Sequence, residues 1–214
     1  GPTIQAETVR NAIVAVVISS LLIMLYLTIR FGLALGGAKN GVKFGMSAIG
    51  ALVHDVFVVL GVAAIIGLLA GWEISALFLT AMLTVIGFSV HDTIVIFDRI
   101  RENLRRPVRG ENFENLCNRS ITQSFARSIN TSMTVIATLI VMIVWGTATI
   151  DLKFFCVAML VGILSGTYSS IYNATPILYL WDKWVERTKG PEHTLVAEAT
   201  AEVNRLRAAA MSAD

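Results

Sequence analysis

The chain has 214 residues, of which 55% are hydrophobic and only 15% are charged. Soluble globular domains are usually about 45–50% apolar and about 25% charged. Because the excess apolar residues also fall into long runs, the composition excludes an ordinary water-soluble domain and indicates a protein that lies in lipid. The net charge of +2 points to no particular partner, and we expect no nucleic-acid partner.

Five segments are long and apolar enough to cross a membrane, since a span requires about 20 mainly apolar residues. In chain order they are residues 12–29, 47–70, 74–97, 129–150 and 154–180. Lipid offers the backbone no hydrogen-bond partner, so we expect each span to be one continuous helix. The sequence therefore predicts an all-α membrane protein with five transmembrane helices in residues 1–187. The polar tail, residues 188–214, is predicted to be cytosolic and either a short helix or disordered.

Positively charged residues are distributed unevenly about these spans. Fifteen of the 17 Lys and Arg residues lie in loop 30–46, in loop 98–128 or after the fifth span, whereas Arg10 and Lys153 lie on the other side. Lys and Arg concentrate in cytoplasmic loops, so the pattern predicts that both loops and the C-terminus are cytoplasmic. The N-terminus would then face outward. We therefore expect an earlier span and an exported domain to precede this sequence in the full protein.

Two spans contain a histidine–aspartate pair, which is unusual because burying a charge in a span costs at least about 2.5–3.5 kcal/mol. His54 and Asp55 lie in the second span, and His91 and Asp92 lie in the third. The two spans run antiparallel and both pairs fall in the inner half of the membrane. We therefore expect the two pairs to lie close enough to approach each other.

The fourth and fifth spans carry polar residues at helical spacing. Residues at i, i+3, i+4, i+7 and i+11 share one helix face, which would suit a hydrated interior. These residues are Arg127, just before the fourth span, and Asn130, Thr131, Thr134 and Thr138 within it. The fifth span places Ser165, Ser169 and Tyr172 on one face, near Gly162 and Gly166. Small residues at this spacing allow helices to pack closely.

Two interpretations of the buried charges are a proton relay and a static ion pair. Low-dielectric surroundings favour the neutral form of a carboxyl group, while a nearby arginine favours the ionised form. Movement of Arg127 relative to Asp92 would therefore switch proton affinity. In the static alternative, the Asp–Arg pair only fixes helix packing. The same choice between relay and packing applies to Asp55, His54, Asn130, Thr131 and Thr134.

A third interpretation is a metal site built from both histidine–aspartate pairs, since histidine and carboxylate groups are zinc ligands. Adjacent residues on a helix point about 100° apart, however, so each helix would offer one good ligand rather than two. Both His54 and His91 are more simply explained as hydrogen-bonded interior residues. We therefore predict no metal site.

A long motif lies at the end of the third span, where residues 86–103 read IGFSVHDTIVIFDRIREN. It resembles the SecF signature of the SecD/SecF protein-export family. This is similar to the family's glycine-aromatic-Ser-x-Asn-Asp-Thr stretch, which is followed by Phe-Asp-Arg-Ile-Arg-Glu-Asn. Residues 118–132, NRSITQSFARSINTS, resemble the second signature stretch of the family. The resemblance covers about residues 1–187 and leaves out the tail.

The resemblance implies a fold, an activity and partners. The fold would be half of a twelve-helix bundle of the resistance-nodulation-division superfamily, without its first helix and its extracytoplasmic domain. The protein would be a multi-pass subunit of the bacterial inner membrane that pairs with SecD. It would use the proton gradient to help exported polypeptides cross through the SecYEG channel, together with the SecA motor. YajC and YidC are further candidate partners, and protons would be the coupling ion with no other cofactor.

The resemblance also assigns roles to three residues. Asp92 matches the family's proton-carrying aspartate, and Arg127 matches its partner arginine. The family usually has Asn where this sequence has His91, which either joins the relay, having an ordinary pKa of about 6.5, or replaces the hydrogen bonds of the amide. We expect no enzymatic activity, because the sequence has no Gly-rich phosphate loop and no nucleophile–base pair.

Two other functions remain alternatives at this point. One is a proton-driven exporter of small molecules or lipids from the same superfamily, which would work without SecYEG. The other is a non-transporting scaffold of the translocon, which would tolerate the loss of charge at Asp92.

Overall fold

The computed structural model describes residues 2–35, 37–106, 108, 110–146 and 149–211, which form helices joined by short connections. Two π-helical turns interrupt the α-helical geometry: Met142–Gly146 extends the fourth helix, and Ser170–Ala174 joins the fifth helix to the sixth. The helices are α1 (Pro2–Ala34), α2 (Ala38–Ala70), α3 (Ala76–Arg105), α4 (Phe113–Val141), α5 (Ile150–Ser169), α6 (Thr175–Lys189) and α7 (Leu195–Met211).

Within the described residues, five helical segments are long and apolar enough to cross a membrane, which confirms the predicted number. They are Ile13–Leu33, Lys39–Ala70, Ala76–Arg105, Phe113–Gly146 and Ile150–Lys189. The last segment combines α5, the second π turn and α6, and we call it the fifth span. Helices of about 30 residues rise about 45 Å, which exceeds the roughly 30 Å apolar core of a bilayer. The helices therefore continue beyond the lipid.

The predicted loops are consequently much shorter in the structure. Loop 30–46 reduces to residues 35–37, and loop 98–128 reduces to residues 106–112. The residues on both sides of each loop are helical. A helix pairs its backbone groups internally, so it does not have to end where it leaves the lipid. Gly36, Pro107 and Arg109 of these loops lie outside the described residues.

The connections at the opposite ends of the helices are also short. Gly71 ends α2 with a φ of 68°, a left-handed conformation that favours glycine at a helix C-terminus. The fourth span was predicted to reach residue 150, but Ile150 begins α5 instead. The reason is a cap: the Thr149 side chain accepts a hydrogen bond from the backbone N–H of Leu152 at 3.3 Å. Residues 147 and 148 of this loop lie outside the described part of the chain.

Helix α3 lies at the centre of the bundle and packs against α2, α4 and α5. Its approach to α5 requires glycine, because a Cβ atom on Gly162 would overlap the side chain of Val85. A Cβ atom on Gly166 would lie 3.0 Å from the Cβ atom of Ser89. The close packing predicted from these two glycines is therefore confirmed, and it brings the polar residues of α5 directly against α3.

The tail forms a helix, which was one of the two predicted possibilities. Helix α7 packs through Leu195 and Ala199, which are both buried. A buried ion pair lies beneath it: Lys43 Nζ is 3.0 Å from Asp182 Oδ1, and the same oxygen accepts the backbone N–H of Leu195 at 3.0 Å. Asn40 also donates to Glu198 of α7 at 2.6 Å. Polar contacts thus hold α7 to the ends of α2 and α6. Residues 212–214 lie outside the described residues.

Candidate functional site

Asp55 lies at the meeting point of α2, α3 and α5 and is completely buried. Three serine hydroxyls donate to its carboxylate, and they come from two different helices. Ser89 and Ser169 donate to Oδ2 at 2.5 Å and 2.6 Å, and Ser165 donates to Oδ1 at 2.7 Å. His54 Nδ1 lies 3.1 Å from the same Oδ1. Each carboxylate oxygen therefore has two polar partners, an arrangement that suits an acceptor-only group.

Asp92 lies on α3, one turn beyond Ser89, in a very different environment. Its side chain is only 5% exposed, and the hydroxyls of Ser128 on α4 and Ser170 in the second π turn lie beside it. Within the described residues, neither Asp92 Oδ2 nor Ser128 Oγ has a hydrogen-bond partner. Buried polar atoms are nearly always paired, so an unpaired carboxylate oxygen at this depth requires an explanation.

The two histidines do not lie between the two carboxylates. His54 is 40% exposed at its side chain and contacts Asp55, its neighbour in sequence. His91 is exposed on α3 and directly precedes Asp92. The two histidine–aspartate pairs are connected instead through Ser89, which bonds Asp55 and lies on the same helix as Asp92. Hydroxyl groups, rather than imidazoles, therefore form the polar contacts between the spans here.

Arg127 points away from the bundle, as does the rest of the predicted polar stripe of α4. Its side chain is exposed, and among the described residues it forms no ion pair with Asp92. The threonines of the stripe donate to carbonyl oxygens of their own helix and so need no further partner. The exposed members are Arg127, Asn130, Thr131, Thr134 and Thr138.

The face of α4 that packs inward is a second stripe, offset from the first by one residue. It contains Ser120, Ser124, Ser128 and Ser132, which are all buried. Ser132 Oγ lies 2.5 Å from Thr167 Oγ1, which connects α4 to α5. Small serine side chains allow the close approach of α4 to its neighbours, so the bulkier arginine is left on the outside.

The face predicted on the fifth span is divided by the second π turn. Ser165 and Ser169 are buried against Asp55, as described above, but Tyr172 is 60% exposed. A π turn contains more residues per turn than an α-helix, so it rotates the residues that follow it relative to those before it. Tyr172 was expected to share the serine face because the prediction assumed uniform α-helical spacing.

The sequence predicted that Asp55 and Asp92 are buried but not what surrounds them. Ser89, Ser128 and Ser170 contact or flank the two aspartates, and none was singled out as a site residue. One signal was present, since serines recur at every fourth position from Ser120 to Ser132. No group of three or more His, Cys, Asp and Glu residues in the described ranges is placed to hold a metal ion.

Fold and site together define a multi-pass membrane protein with ionisable residues inside its helix bundle, a pattern typical of ion and proton pathways. Residues 1–184 match the model of a family described as protein export membrane protein SecD/SecF, C-terminal. The chain therefore belongs to the SecD/SecF family.

The most informative sequence relatives are SecF subunits. The protein translocase subunit SecF of Thermobaculum terrenum is 51% identical over 183 residues, which cover 85% of this chain and 55% of the relative. The SecF subunit of Anaerolinea thermophila is 45% identical over 197 residues, covering 89% of this chain and 62% of the relative. The chain thus spans little more than half the length of the SecF relatives it matches, and its similarity supports a position within the SecF branch.

Two further comparisons involve longer proteins named SecDF. The SecDF subunit of Bacillus subtilis is 38% identical over 182 residues, covering 84% of this chain and 23% of the relative. A crystal structure of SecDF from Thermus thermophilus superimposes with a TM-score of 0.74 at 37% identity, covering 86% of this chain and 23% of that one. The structural similarity confirms an all-α membrane fold.

Proposed function

We propose that this chain is the membrane part of a SecF-type subunit that, together with SecD, uses the proton motive force to assist protein translocation through SecYEG. The names of the relatives support a role in protein translocation. The use of protons rests on the site itself, and the observation that carries it is the unpaired oxygen of the buried Asp92.

A proton carrier must be able to gain and lose its proton without dismantling the surrounding packing. Asp55 is poorly suited to this role because both of its oxygens already accept serine hydroxyls. Asp92 is better suited, because it is buried in the third span and one oxygen keeps its lone pairs free. We therefore assign proton exchange to Asp92 and a packing role to Asp55.

We propose that Arg127 responds to the charge of Asp92, although the two do not touch. It precedes Ser128, whose hydroxyl lies beside the carboxylate. Successive residues on a helix are separated by about 100°, so a rotation of α4 by about that angle would put Arg127 in the place of Ser128. Ionised Asp92 would attract the guanidinium, and neutral Asp92 would release it. Alternation between these arrangements would link proton flow to helix movement.

The exposed stripe of α4 supports a SecD partner. An arginine and an asparagine on the outside of a membrane-spanning helix would be costly against lipid, so Arg127 and Asn130 require a polar cover. The SecDF relatives combine both names in one chain, and this chain corresponds to 22–23% of their length. We propose that SecD covers the stripe, with SecYEG, SecA and the exported polypeptide as further partners in the inner membrane.

The proposal is tested by proton-gradient-dependent export in membrane vesicles that carry the full-length protein with SecD. The test variant is Asp92→Asn, which keeps the size of the side chain but cannot carry a proton. The matched control is Asp151→Asn, because Asp151 is an exposed residue in the first turn of α5 and makes none of the contacts of the site. We expect Asp92→Asn to lose the gradient-dependent part of export and the control to keep it.

Both variants must still insert and bind SecD, which is checked by co-purification. If Asp92→Asn supports export as well as the control does, the carboxylate carries no proton and a scaffold role replaces the present proposal. If export is lost in both variants, the loss does not depend on Asp92 and the assignment of the proton to this residue is wrong.

A further inference from the structure

The fifth span changes from α-helical to π-helical geometry between the two buried carboxylates. Ser169, the last residue of α5, donates to Asp55. Ser170, the first residue of the π turn, lies beside Asp92. Both serines are completely buried. π turns are frequent at functional sites, and here the π turn begins at Ser170, directly after the serine that bonds Asp55.

Ser170 has two possible acceptors for a single proton. Its hydroxyl donates to the backbone oxygen of Gly166 at 2.7 Å, and it also lies 3.0 Å from the hydroxyl of Thr93. A hydroxyl group donates only one hydrogen bond. While Ser170 donates to Gly166, it cannot donate to Asp92, and Asp92 Oδ2 is indeed unpaired.

This arrangement suits a neutral Asp92, because a neutral carboxyl group attracts donors less strongly than an anion does. An ionised carboxylate would compete for the Ser170 hydroxyl against a backbone carbonyl. Gly166 has another donor, since its oxygen also accepts the backbone N–H of Ser170. The loss of one donor would therefore leave this carbonyl paired, which lowers the cost of the exchange.

We propose that Ser170 is a positioning residue for Asp92, whose hydroxyl turns from Gly166 to the carboxylate when Asp92 loses its proton. The exchange alters the hydrogen bonding of the π turn, so the conformation of the fifth span depends on whether Asp92 is ionised. Ser169 stays bonded to Asp55 and serves as the fixed point of this movement. The inference rests on the proposed function, since it requires Asp92 to exchange protons.

Other charges near Asp92 could also affect its titration and must be held constant. Helix α1 carries no charged side chain from Ile13 to Ile29. The titratable groups on the helices packed around Asp92 include His91 and Asp98 on α3, His54 and Asp55 on α2, Arg127 on α4, and Tyr168 and Tyr172 on the fifth span. His91 directly precedes Asp92 on α3, so the measurement is made both in the native sequence and with His91→Asn.

The test is the pH profile of carbodiimide labelling at Asp92, since a hydrophobic carbodiimide reacts with a protonated carboxyl group. The full-length protein is labelled with SecD in native membranes, and the peptide that contains Asp92 is quantified by mass spectrometry. Labelling of Asp92→Asn provides the background. The variants are Ser170→Ala, Ser170→Thr, which retains the hydroxyl, and Ser169→Ala, which removes a hydroxyl from the neighbouring position.

We expect Ser170→Ala to move the labelling midpoint to higher pH by about one unit, because the anion loses one charge-assisted donor. Ser170→Thr should restore the midpoint, and Ser169→Ala should leave it unchanged, in both His91 backgrounds. An unchanged midpoint in Ser170→Ala overturns the inference, as does an equal movement in Ser169→Ala, because the effect would then be structural.

Two results distinguish a wrong role for Ser170 from a wrong proposed function. If Asp92→Asn abolishes gradient-dependent export while Ser170→Ala leaves the midpoint in place, only the role of Ser170 is wrong. If Asp92 is not labelled at any pH, or if Asp92→Asn exports normally, both the proposed function and this inference fail.

Discussion

The buried ion pair beneath the tail helix makes a quantitative prediction. Lys43 and Asp182 are 3.0 Å apart, and their side chains are only 7% and 3% exposed. Replacing Lys43 by Met leaves the Asp182 carboxylate buried, with the backbone N–H of Leu195 as its remaining donor. Removing one partner of a buried pair costs about 3–5 kcal/mol. For a chain of this size about 1 kcal/mol lowers Tm by about 2–4 °C, so we expect a loss of about 6–20 °C.

The assay is thermal unfolding of the full-length protein with SecD in detergent, followed by loss of the monodisperse complex. Two controls separate charge burial from simple side-chain loss. Arg205→Met removes an exposed ion pair with Glu202, at 3.9 Å, and should change Tm very little. The double variant Lys43→Met with Asp182→Leu replaces the buried pair by apolar side chains and should recover most of the lost stability.

A second measurement follows the tail helix itself. Because Asp182 joins both Lys43 and the start of α7, disruption of the pair should release α7 and speed proteolysis within residues 190–194. Two results would contradict this prediction: Lys43→Met has the same Tm as the unsubstituted protein, or the double variant has as low a Tm as Lys43→Met. Either result would mean that the energetic cost does not come from an uncompensated buried charge.

Three other predictions concern packing and connections. Asp55→Leu should lower the Tm measured by thermal unfolding by about 4–24 °C, since it leaves the buried hydroxyls of Ser89 and Ser165 without their acceptor at about 1–3 kcal/mol each, while Ser169 can still donate to Gly166. Gly41→Ala should destabilise the protein, because the added Cβ atom would overlap the backbone of α1. Gly61→Ala should be neutral or stabilising, because no atom lies within 4 Å of the added Cβ atom. Thermal unfolding of both variants checks this. Arg119→Lys should increase hydrogen exchange at the α3–α4 connection, because it loses a two-bond contact to a glutamate at 2.6–2.8 Å.

Much of the membrane topology could be predicted from local sequence alone. Long apolar runs determine how many helices cross the lipid, because the cost of an unpaired backbone in a bilayer leaves no other structure. The cost of burying a charge in a span indicated Asp55 and Asp92 as candidate site residues, since ionisable residues are rare in spans. The outer limits of the helices were less predictable, because nothing in lipid energetics stops a helix from continuing into water.

The partners of the buried groups could not be predicted in this way. Lys43 and Asp182 are separated by 139 positions, and no local pattern relates them. The two stripes of α4 have the same period, so the sequence did not decide that the serines face inward and Arg127 outward. That choice depends on which side chains are small enough to fit against α3 and α5.

Sequence by itself therefore determined that this protein is a five-span membrane protein of the SecD/SecF family with two carboxylates inside its helices, because these properties follow from hydrophobic length, charge cost and motif. Only the tertiary structure decided that Asp55 is enclosed by serines while Asp92 keeps an unpaired oxygen. The physical reason is that Ser169 and Ser170 are adjacent on the fifth span and point about 100° apart, so they face different carboxylates once this span packs against α2 and α3.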